Sequence, residues 1–312
     1  MIDRSKGAGL SSAQPHIVII ILNMNRRDET VACLNSLARS TYDNSSTIVL
    51  DAGSNDGSVE AVRSSFPAVE IVELVENRGY AGNNNVGIQI ALARQADWVF
   101  VLNQDTILAP DCIAHLVEAG ESDPRIGIVG PMVYHFDEPT VIQSAGGRLD
   151  SQWRTWHIGQ NQTDQGQFTL PQPVDWISGC AILVRRQVIQ QVGLLDERFF
   201  LYWEETEWCL RAVKSGWRIV QVPQARLWHK GVQRDYQPQP MVTYYVTRNR
   251  FLMLALHQGP LMAWALAWGQ ALRTLMSWTI KPRWRASKSN HRDAMWRGIV
   301  DFLHRRWGRM PS

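Results

Sequence analysis

The first 105 residues of this 312-residue chain alternate between strand patterns and helix patterns. The run at 16–22, His-Ile-Val-Ile-Ile-Ile-Leu, is almost wholly apolar and β-branched, which is typical of a strand buried on both faces of a parallel sheet. Further strands are predicted at 47–51, 69–75 and 97–102, with one helix capped by Asp28 and others at 58–65 and 84–95. Such alternation implies right-handed βαβ units, and it predicts an α/β domain with a mostly parallel central sheet flanked by helices.

Polar residues follow each predicted strand at the point where it ends. These clusters occupy residues 23–25, 51–56, 77–85 and 103–105. Because open parallel sheets bind ligands outside the carboxyl ends of their strands, the clusters predict a ligand site along one edge of the sheet. Asp105, in the last cluster, is of the residue type that holds Mg²⁺ or Mn²⁺, although a single strand-end aspartate is about as often a turn or cap residue.

The second candidate site is an acidic run, Glu204-Glu-Thr-Glu207, at the start of a helix predicted for 204–214. Acidic residues at a helix start are favoured by the helix dipole, which would explain an isolated run. This run is flanked by aromatic residues at positions 199, 200, 202, 203 and 208. Carboxylates among aromatic side chains are expected to be partly buried with raised pKa values, which suits a general base.

The rest of the second half is less regular. Strands are predicted at 126–133, 174–184 and 217–222, and strongly apolar helices at 242–256 and 260–280. Residues 134–173 show no periodicity, and an irregular segment of that length is usually functional or mobile. We therefore expect this segment to be one or the other.

Charge is unevenly distributed along the chain. The formal net charge is +3, but residues 281–312 contain nine Lys/Arg and two acidic residues. The apolar segment 260–280 approaches the length of a transmembrane helix but is interrupted by Gly269, Gln270 and Arg273. Two interpretations stay open: a helix lying in a membrane interface, as tryptophans beside basic residues suggest, or a helix packed on the α/β domain. Nucleic-acid binding is not expected, because no recognition motif is present.

The cysteines bear on the compartment. The four of them lie far apart in apolar segments, without the spacing of metal ligands, so buried thiols in a reducing compartment are expected. Residues 1–15 are polar and predict a flexible lead rather than a signal peptide. These features predict a cytoplasmic protein, peripheral on the inner face of the cytoplasmic membrane if its tail lies in the interface.

Six stretches of the chain carry a recognisable set of motifs. They are residues 18–25 with 34–37, Val49-Leu-Asp-Ala-Gly-Ser-Asn-Asp-Gly-Ser58, Asn77-Arg-Gly-Tyr-Ala-Gly-Asn-Asn-Asn-Val-Gly87, Asn103-Gln-Asp105, Trp176-Ile-Ser-Gly-Cys-Ala181 and residues 196–211. In this order they resemble the motifs of the family-2 inverting glycosyltransferases, which have the GT-A fold, and especially their rhamnosyltransferase-like branch. The resemblance covers about residues 16–250. No single motif is decisive, but six in this order are highly specific.

The resemblance implies a role for each matching residue. Donor binding would involve Asn25, Asp51, Asn77, Gly79, Asn84 and Asn103. Asp105 and His229 would hold a divalent metal, Mg²⁺ or Mn²⁺. Glu205 would be the base that deprotonates the acceptor, with Glu204 as the alternative. The acceptor site would include Trp176, Gly179, Glu207 and Arg211.

The activity that the resemblance implies is metal-dependent, inverting hexosyl transfer in polysaccharide biosynthesis. The donor would be a nucleoside-diphosphate sugar, such as dTDP-rhamnose or a UDP-sugar, and the acceptor a saccharide or lipid-linked saccharide. Asn103 and Glu205 stand where the family usually has aspartates, so a catalytically degenerate protein that binds a nucleotide-sugar or a partner is the alternative. A dinucleotide-dependent oxidoreductase is set aside, because residues 23–28 lack the glycines of a G-x-G-x-x-G motif.

The resemblance also implies an organisation for the chain. A flexible lead (1–15) would precede a GT-A domain (16–250), followed by an apolar and basic helical tail (251–312). Within the domain, residues 16–105 would bind the nucleotide-sugar and residues 106–250 the acceptor.

Overall fold

A computed structural model describes residues 14–231 and 233–311, so the lead predicted for 1–15 falls almost entirely outside the described residues. The described strands are β1 (Ile17–Asn23), β2 (Ser45–Asp51), β3 (Glu70–Glu73), β4 (Trp98–Asn103), β5 (Thr106–Leu108), β6 (Ile126–His135), β7 (Ile142–Ser144), β8 (Gly147–Leu149), β9 (Thr155–His157), β10 (Gln172–Pro173), β11 (Ala181–Arg185) and β12 (Arg218–His229). The described helices are α1 (Arg27–Leu37), α2 (Ser58–Ser65), α3 (Gly79–Ala93), α4 (Cys112–Glu121), α5 (Arg186–Val192), α6 (Glu204–Lys214), α7 (Pro240–Leu256), α8 (Leu261–Ile280), α9 (Pro282–Arg285) and α10 (Ser289–Leu303).

One central sheet organises these elements. Its strands lie in the order β10, β12, β6, β11, β4, β1, β2, β3, with β5 paired to β12 and β7 to β6. β3, β2, β1 and β4 are parallel to their neighbours in that group, and β12 is parallel to β6. β11 runs antiparallel to both β4 and β6. The predicted α/β fold with a mostly parallel sheet is confirmed.

The composition of β1 explains why it lies near the middle of this sheet. Ile17, Ile19 and Ile21 pack into one apolar cluster, whereas Val18 and Ile20 pack into another. Because successive side chains of a strand point to opposite faces, a continuous apolar run is buried only where both faces are covered. Helices on the two sides of the sheet provide that cover.

The register of β1 brings the polar clusters together. Asn23 pairs with Asp51 at the end of β2, and Leu22 pairs with Asn103 at the end of β4. The side chains of Asn23 and Asp51 are also joined by a hydrogen bond of 2.7 Å. The carboxyl ends of these strands therefore meet at one edge of the sheet, as the sequence predicts.

Helix α3 begins five residues earlier than predicted, so the loop expected at 77–85 is wrong for most of its length. Glycine and asparagine have low helix propensities, which is why the sequence pattern favours a loop. In the structure, Asn77 Oδ1 accepts a hydrogen bond of 2.9 Å from the backbone N–H of Gly79 at the start of the helix. A β-carbon at Gly87 would overlap the side chain of Ile20 on β1. Close packing on the sheet thus overrides helix propensity here.

Other predicted boundaries also need correction. The strand predicted for 217–222 continues to His229 as β12, because its pairing with β6 resumes after a register shift between Val222 and Arg226. The strand predicted for 174–184 is only Ala181–Arg185, because the preceding apolar residues are buried without joining the strand. Asp28 lies in the first turn of α1 rather than at its cap. The carboxylate of Asp56, from the loop after β2, instead accepts the backbone N–H of Arg27 at 2.9 Å.

The C-terminal helices pack against the rest of the chain. Phe251 of α7 stacks on Trp264 of α8, and it contacts Trp268 of α8 and Phe302 of α10 with tilted rings. All four cysteines are buried and free, as predicted. Among residues 14–231 and 233–311, no helix combines the length and the apolar character needed to cross a membrane.

Candidate active site

A cavity of about 380 Å³ lies between the ends of β4 and β12 and the start of α6. Its charged lining includes the carboxylates of Asp105, Glu204 and Glu205, and we call it the acidic cavity. Other lining residues include Tyr80, Asn103, Gln143, His157, Gly179, His229 and Gly231. The structure thus brings together residues such as Tyr80 and Gly231, which are separated by 151 positions in the sequence.

His229, the last residue of β12, faces Asp105 across this cavity. Gln143 Oε1 lies 2.9 Å from His229 Nδ1, and because this amide oxygen is an acceptor, Nδ1 carries a proton. His229 Nε2 lies 3.2 Å from Asp105 Oδ1, and among the described residues Oδ1 is buried without a hydrogen bond. When the imidazole is neutral, its unprotonated Nε2 therefore faces the carboxylate oxygen Oδ1 of Asp105. Both atoms are electron-rich, and a cation bound to them would stabilise this arrangement. Histidines that bind metals commonly donate their other ring N–H to an oxygen in this way.

The residues present fit a divalent cation whose remaining ligands come from the substrate. In the part of the chain that the structure describes, no three His, Cys, Asp or Glu side chains converge as a complete metal site. Mg²⁺ commonly uses one or two protein carboxylates and completes its shell with substrate phosphates and water. A β-carbon at Gly231 would overlap Asp105 Oδ2 and lie 3.1 Å from His229 Nε2. Glycine at this position therefore leaves room beside both ligands.

Asp105 is the carboxylate of the strand-end motif. Burial by itself would raise the pKa of Asp105. Its own backbone N–H, the charge of Arg26 and the positive charge of a His229 ring protonated on both nitrogens together outweigh that effect, so the pKa lies below its usual value. Asn103, at the end of β4, lines the same cavity without adding charge. The strand-end motif therefore contributes one ionised carboxylate and one neutral amide.

The two glutamates at the start of α6 have different surroundings. Glu204 is buried, and its Oε2 has no hydrogen-bond partner among the residues described. Burial raises the pKa of Glu204 well above its usual value, and the adjacent Glu205 raises it further. Glu205 is only partly exposed, and burial raises its pKa to about 7. Burial therefore favours the protonated form of Glu204, whereas Glu205 is suited to exchange a proton near neutral pH.

The backbone that leads into α6 is strained. Phe200, Tyr202 and Trp203 have φ angles of 64°, 68° and 78°. Bulky residues rarely adopt this left-handed region. Strain of this kind persists only where the surroundings over-determine it, and it is common at active sites.

Two buried residues of α7 hold this strained segment. Asn249 Nδ2 lies 2.8–2.9 Å from the carbonyl oxygens of residues 199, 201 and 202. Arg248 Nη2 donates to the carbonyl oxygens of residues 198 and 199 at 3.0 and 2.9 Å. Both side chains are fully buried. Helix α7 therefore fixes the position from which Glu205 enters the acidic cavity.

Two of the predicted donor-binding residues lie on the loops after β1 and β2. Asp51 is buried, and its carboxylate accepts from Asn23 Nδ2 at 2.7 Å and from the backbone N–H of Ser54 at 2.9 Å. Asn25 is exposed, and its Oδ1 accepts from the backbone N–H of Asn55 at 2.8 Å. These hydrogen bonds shape the two loops into one rim of the sheet edge.

Asn77 and Gly79 line a second cavity, of about 610 Å³. The charged residues of its lining are Arg297 and Arg309, and we call it the basic cavity. Gly79 has a φ angle of 76°, and a β-carbon there would overlap Phe200. Any larger residue would therefore push this wall away from the segment that leads to α6.

The two cavities adjoin, because Tyr80 and Leu201 line both of them. The Tyr80 hydroxyl donates to the carbonyl oxygen of Gly179, which itself lines the acidic cavity. Asn84 is fully buried beneath Tyr80: its Nδ2 donates to the Tyr80 carbonyl at 2.9 Å, and its Oδ1 has no partner within the described residues. Asn84 therefore supports this wall from inside the helix.

Three residues predicted for the acceptor site lie outside the lining of the acidic cavity. The buried indole of Trp176 packs edge-on against His157, at 4.7 Å between ring centroids, and His157 is the one that lines the cavity. Glu207 accepts from Arg211 Nε at 2.8 and 2.9 Å and lies 3.0 Å from His257 Nε2 on its other side. Glu207 thus ties α6 to the end of α7, and Arg211 ties α6 to the carbonyl oxygens of residues 192 and 194.

The family model described as "Glycosyl transferase family 2" matches residues 18–193, which is more than half of the chain. The chain belongs to glycosyl transferase family 2. The matched region contains the strand-end clusters and Asp105, whereas the glutamates of α6 lie beyond it. The predicted family is confirmed, and with it the enzyme class: the protein is a glycosyltransferase.

Named relatives agree with this membership. This glycosyltransferase is 31% identical, over 266 residues, to the N-acetylglucosaminyl-diphospho-decaprenol L-rhamnosyltransferase of Mycobacterium tuberculosis. The matched region covers 77% of this chain and 86% of that protein. The chain is 25% identical over 202 residues to the dTDP-rhamnosyl transferase RfbF of Shigella flexneri, covering 62% and 66%. The structure of a mannosyltransferase from Pyrobaculum calidifontis, in complex with GDP-Man and Mn²⁺, is 16% identical and matches with a TM-score of 0.58 over 94% of this chain and 88% of that one.

Sequence reasoning misses several polar residues of the glycosyltransferase's acidic cavity. Gln143 and His157 come from the irregular segment 134–173, and Tyr236 follows β12. The only signal for the first two is the length of that segment without periodicity, which does not single out a residue. Tyr80 lies inside a recognised motif, but its aromatic ring is equally expected in a core.

Proposed function

We propose that this glycosyltransferase moves a hexosyl group, with inversion of the anomeric configuration, from a nucleoside-diphosphate sugar to a hydroxyl group of the acceptor. One observation carries the proposal: Glu205, with a pKa near neutrality, lines the same cavity as Asp105 and His229. A base for the acceptor and a cation site for the leaving group are the parts that an inverting transfer needs.

The proposed reaction is a single displacement. Glu205 accepts the proton of the acceptor hydroxyl while the hydroxyl oxygen attacks the anomeric carbon. The new C–O bond forms on one face, the bond to the diphosphate oxygen breaks on the other, and the electron pair leaves with the nucleoside diphosphate. Glu204 is a poor nucleophile because it is buried and because burial favours its protonated form, which favours one displacement over a covalent glycosyl-enzyme.

Asp105 and His229 are proposed to hold the divalent cation, Mg²⁺ or Mn²⁺. When bound, such a cation neutralises charge that develops on the leaving diphosphate. Gln143 keeps the imidazole proton on His229 Nδ1, so that Nε2 is free to act as a ligand. The absence of a second carboxylate at Asn103 fits a site completed by the diphosphate itself.

The donor is proposed to be dTDP-rhamnose or a UDP-sugar. One relative is named for dTDP-rhamnosyl transfer and another for L-rhamnosyl transfer. Asn25 and Asp51 would contact the nucleotide base, and Asn77 and Gly79 would line the ribose and diphosphate. Asn84, predicted for the same role, would instead support this wall from beneath Tyr80. The adjoining basic cavity supports this placement, since Asn77 and Gly79 form part of its wall.

The acceptor is proposed to be a saccharide, or a saccharide on a lipid carrier, in the synthesis of a cell-surface polysaccharide. The name of the mycobacterial relative specifies a diphospho-decaprenol carrier, which supports the lipid-linked form. Gly179 would lie against the acceptor in the acidic cavity, with Trp176 behind it. Glu207 and Arg211 would act by holding α6 in place.

A lipid-linked acceptor would be met at a membrane surface, and α8 has a suitable face. Its alanines at 263, 267 and 271 pack inward. Its outward residues are apolar and exposed, with Leu261 at 89% and Met276 at 59%, and residues 281–292 behind them are rich in Lys and Arg. A helix that is apolar on its outer side as well as its inner side favours an apolar environment. We propose residues 251–312 as a peripheral membrane attachment, at the inner face of the cytoplasmic membrane, of a GT-A domain at 16–250.

The test is a panel of UDP-, dTDP- and GDP-sugars, each with Mn²⁺, Mg²⁺ or EDTA, and with or without a polyprenyl-diphosphate-linked sugar. Released nucleoside diphosphate and glycosylated acceptor are measured. We expect metal-dependent turnover of one donor. Nucleotide binding without turnover under any condition would instead favour a degenerate binding protein, and the absence of nucleotide binding would contradict the proposal.

A further inference from the structure

The outer wall of the basic cavity is made by the C-terminal segment of the described chain. Its inner wall comes from the sheet edge and the start of α3, including Ala52, Asn77 and Gly79. The same cavity is also lined by Arg297 of α10 and by residues 309–311. The residues of the C-terminal segment that line the cavity are therefore more than two hundred positions away in the sequence from Ala52, Asn77 and Gly79.

Buried groups of α7 fix this C-terminal segment in place. Arg248 Nη1 donates to the carbonyl oxygen of Gly308 at 2.7 Å. The backbone N–H of Met310 donates to the Tyr245 hydroxyl at 2.7 Å. Arg248 and Tyr245 are both fully buried, so these anchors are rigid. The segment is thus held by the same helix that positions the strained backbone before α6.

The charged side chains at this wall are both positive, and among the described residues no acidic group pairs with them. Arg297 and Arg309 are the charged residues of the cavity lining, and neither forms an ion pair within residues 14–231 and 233–311. Arg297 Nη1 donates to the carbonyl oxygen of Pro311 at 2.9 Å, which orients its guanidinium and leaves its other N–H groups available. Arg309 is close enough to Tyr245 that its charge counteracts part of the burial effect that raises the pKa of that hydroxyl. Two arginines in one cavity, with no ion-pair partner in the described part of the chain, are suited to an anion.

We propose that Arg297 and Arg309 bind the diphosphate of the donor, so that the C-terminal segment forms part of the donor site. This inference rests on the proposed function and deepens it. The basic cavity adjoins the acidic cavity through Tyr80 and Leu201, and a nucleoside-diphosphate sugar has a central anion between its nucleoside and its sugar. A diphosphate near the junction would meet the arginines on one side and the cation site at Asp105 on the other.

Guanidinium groups are suited to this task by shape as well as charge. Their planar fork of N–H donors matches a pair of phosphate oxygens. The two arginines would also supply binding that does not depend on a metal, because they lie in a different cavity from Asp105 and His229. The arginine contribution can therefore be measured separately, with the metal removed.

The experiment is isothermal titration of the full chain in EDTA with dTDP, UDP, thymidine and uridine. The variants are Arg309→Ala and the double variant Arg297→Ala/Arg309→Ala. Arg309→Ala removes a side chain that makes no hydrogen bond within the described residues, so the anchors of the segment stay in place. The control is Arg305→Ala, which removes the same charge from an exposed arginine that lines a different cavity. Thermal unfolding of each variant verifies that it is folded.

We expect the double variant to bind the preferred nucleoside diphosphate at least about tenfold more weakly than wild type. Its affinity for the matching nucleoside should be unchanged, and Arg305→Ala should match wild type in both. Equal diphosphate affinity in wild type and the double variant would overturn the inference while leaving the proposed function intact. An equal loss for nucleoside and diphosphate would overturn it too, by showing a general role in shaping the cavity. If wild type binds no nucleotide even with Mn²⁺ restored, the proposed function fails together with the inference.

Discussion

At the scale of single residues, adjacent glutamates acquire different chemistry from their positions on α6. Glu204 points into the interior, where burial keeps its proton in place. Glu205 lies at the cavity wall, where burial is less complete and the pKa rises only to about 7. The two side chains are chemically identical, so their different roles come from their different surroundings. Those surroundings depend on the direction in which the strained segment leads into α6.

The pKa of Glu205 predicts how the reaction depends on pH. A base acts only in its ionised form, and this pKa is raised, so kcat should be low in mild acid and increase with pH through a midpoint near 7. The measurement is kcat between pH 5 and 9 at saturating donor, acceptor and metal. A midpoint close to the ordinary value for glutamate would contradict the burial argument.

The raised pKa of Glu204 predicts a pH dependence of stability. The unfolded chain loses this proton at the ordinary glutamate pKa while the folded chain keeps it, so Glu204 disfavours the folded state increasingly as the pH rises above that value. Glu204→Gln removes this effect. Its Tm relative to wild type should therefore be higher at pH 8 than at pH 5. A difference in Tm that is the same at both pH values would show that Glu204 ionises normally.

Asp105 provides the prediction for metal binding. Asp105→Asn keeps the size of the side chain but removes the one carboxylate next to His229 Nε2, so Mn²⁺ should bind at least tenfold more weakly. Electron paramagnetic resonance of free Mn²⁺, titrated in the presence of the product diphosphate, measures this affinity. Asp43→Asn, an exposed aspartate, is the matched control. Unchanged Mn²⁺ affinity in Asp105→Asn would place the metal elsewhere.

At the scale of elements, α7 connects the two cavities. Asn249 and Arg248 hold the strained segment before α6, and Arg248 also holds Gly308 beside the basic cavity. Both residues are buried polar groups that donate mainly to backbone carbonyls, and Arg248 also donates to the side chains of Asn249 and Tyr244. A buried donor network of this kind specifies one arrangement of the loops that it joins.

Asn249→Leu tests this positioning role. It keeps the approximate volume but removes the donors for the carbonyl oxygens of residues 199, 201 and 202, which should lower the free energy of unfolding by about 1–3 kcal/mol. Because Glu205 is then held less firmly, kcat should fall more than KM rises, and the pH midpoint should move toward the ordinary glutamate value. Asn290→Leu, an exposed position on α10, is the control. Lost stability with an unchanged pH profile would show a structural role alone.

The sequence predicts an element correctly where local residue patterns mark its ends, and it fails where only tertiary contacts determine them. Helices α2 and α6 have the predicted bounds, because a turn-rich segment precedes the first and an acidic start marks the second. The start of α3 is missed, because asparagine and glycine favour loops and only contact with the sheet shows otherwise. Asp105 and Glu205 are found through motifs, whereas Gln143 and Arg309 enter the cavities from segments with no periodicity and depend on tertiary structure alone.

At the scale of the whole molecule, α8 has the features of both interpretations that the sequence left open, a helix packed on the α/β domain and a helix lying in a membrane interface. Its inner face packs on α7 and α10, as the packed-helix interpretation requires. Its outer face remains apolar and exposed, as the interfacial interpretation requires. Sequence periodicity does not separate these cases, because a helix that is apolar on all sides has no polar stripe to orient it.

The outer face of α8 predicts binding to anionic vesicles. The double variant Leu272→Glu/Met276→Glu places two charges on exposed positions of this face, so cosedimentation with vesicles that contain phosphatidylglycerol should decrease at least tenfold. The control is Val75→Glu/Leu170→Glu, which adds the same charge at exposed apolar positions outside α8. Equal vesicle binding by both double variants would exclude α8 as the attachment surface.

The central claim is that Glu205 acts as the base of an inverting transfer. With the donor and acceptor identified by the nucleotide-sugar panel, the measurement is kcat for wild type, Glu205→Gln and Glu204→Gln, together with the Kd of the product diphosphate. We expect Glu205→Gln to lower kcat by about 10²–10⁴-fold without changing Kd, and Glu204→Gln to retain most of the activity. A Glu205→Gln variant that keeps wild-type kcat, or a Glu204→Gln variant that loses as much, would contradict the account.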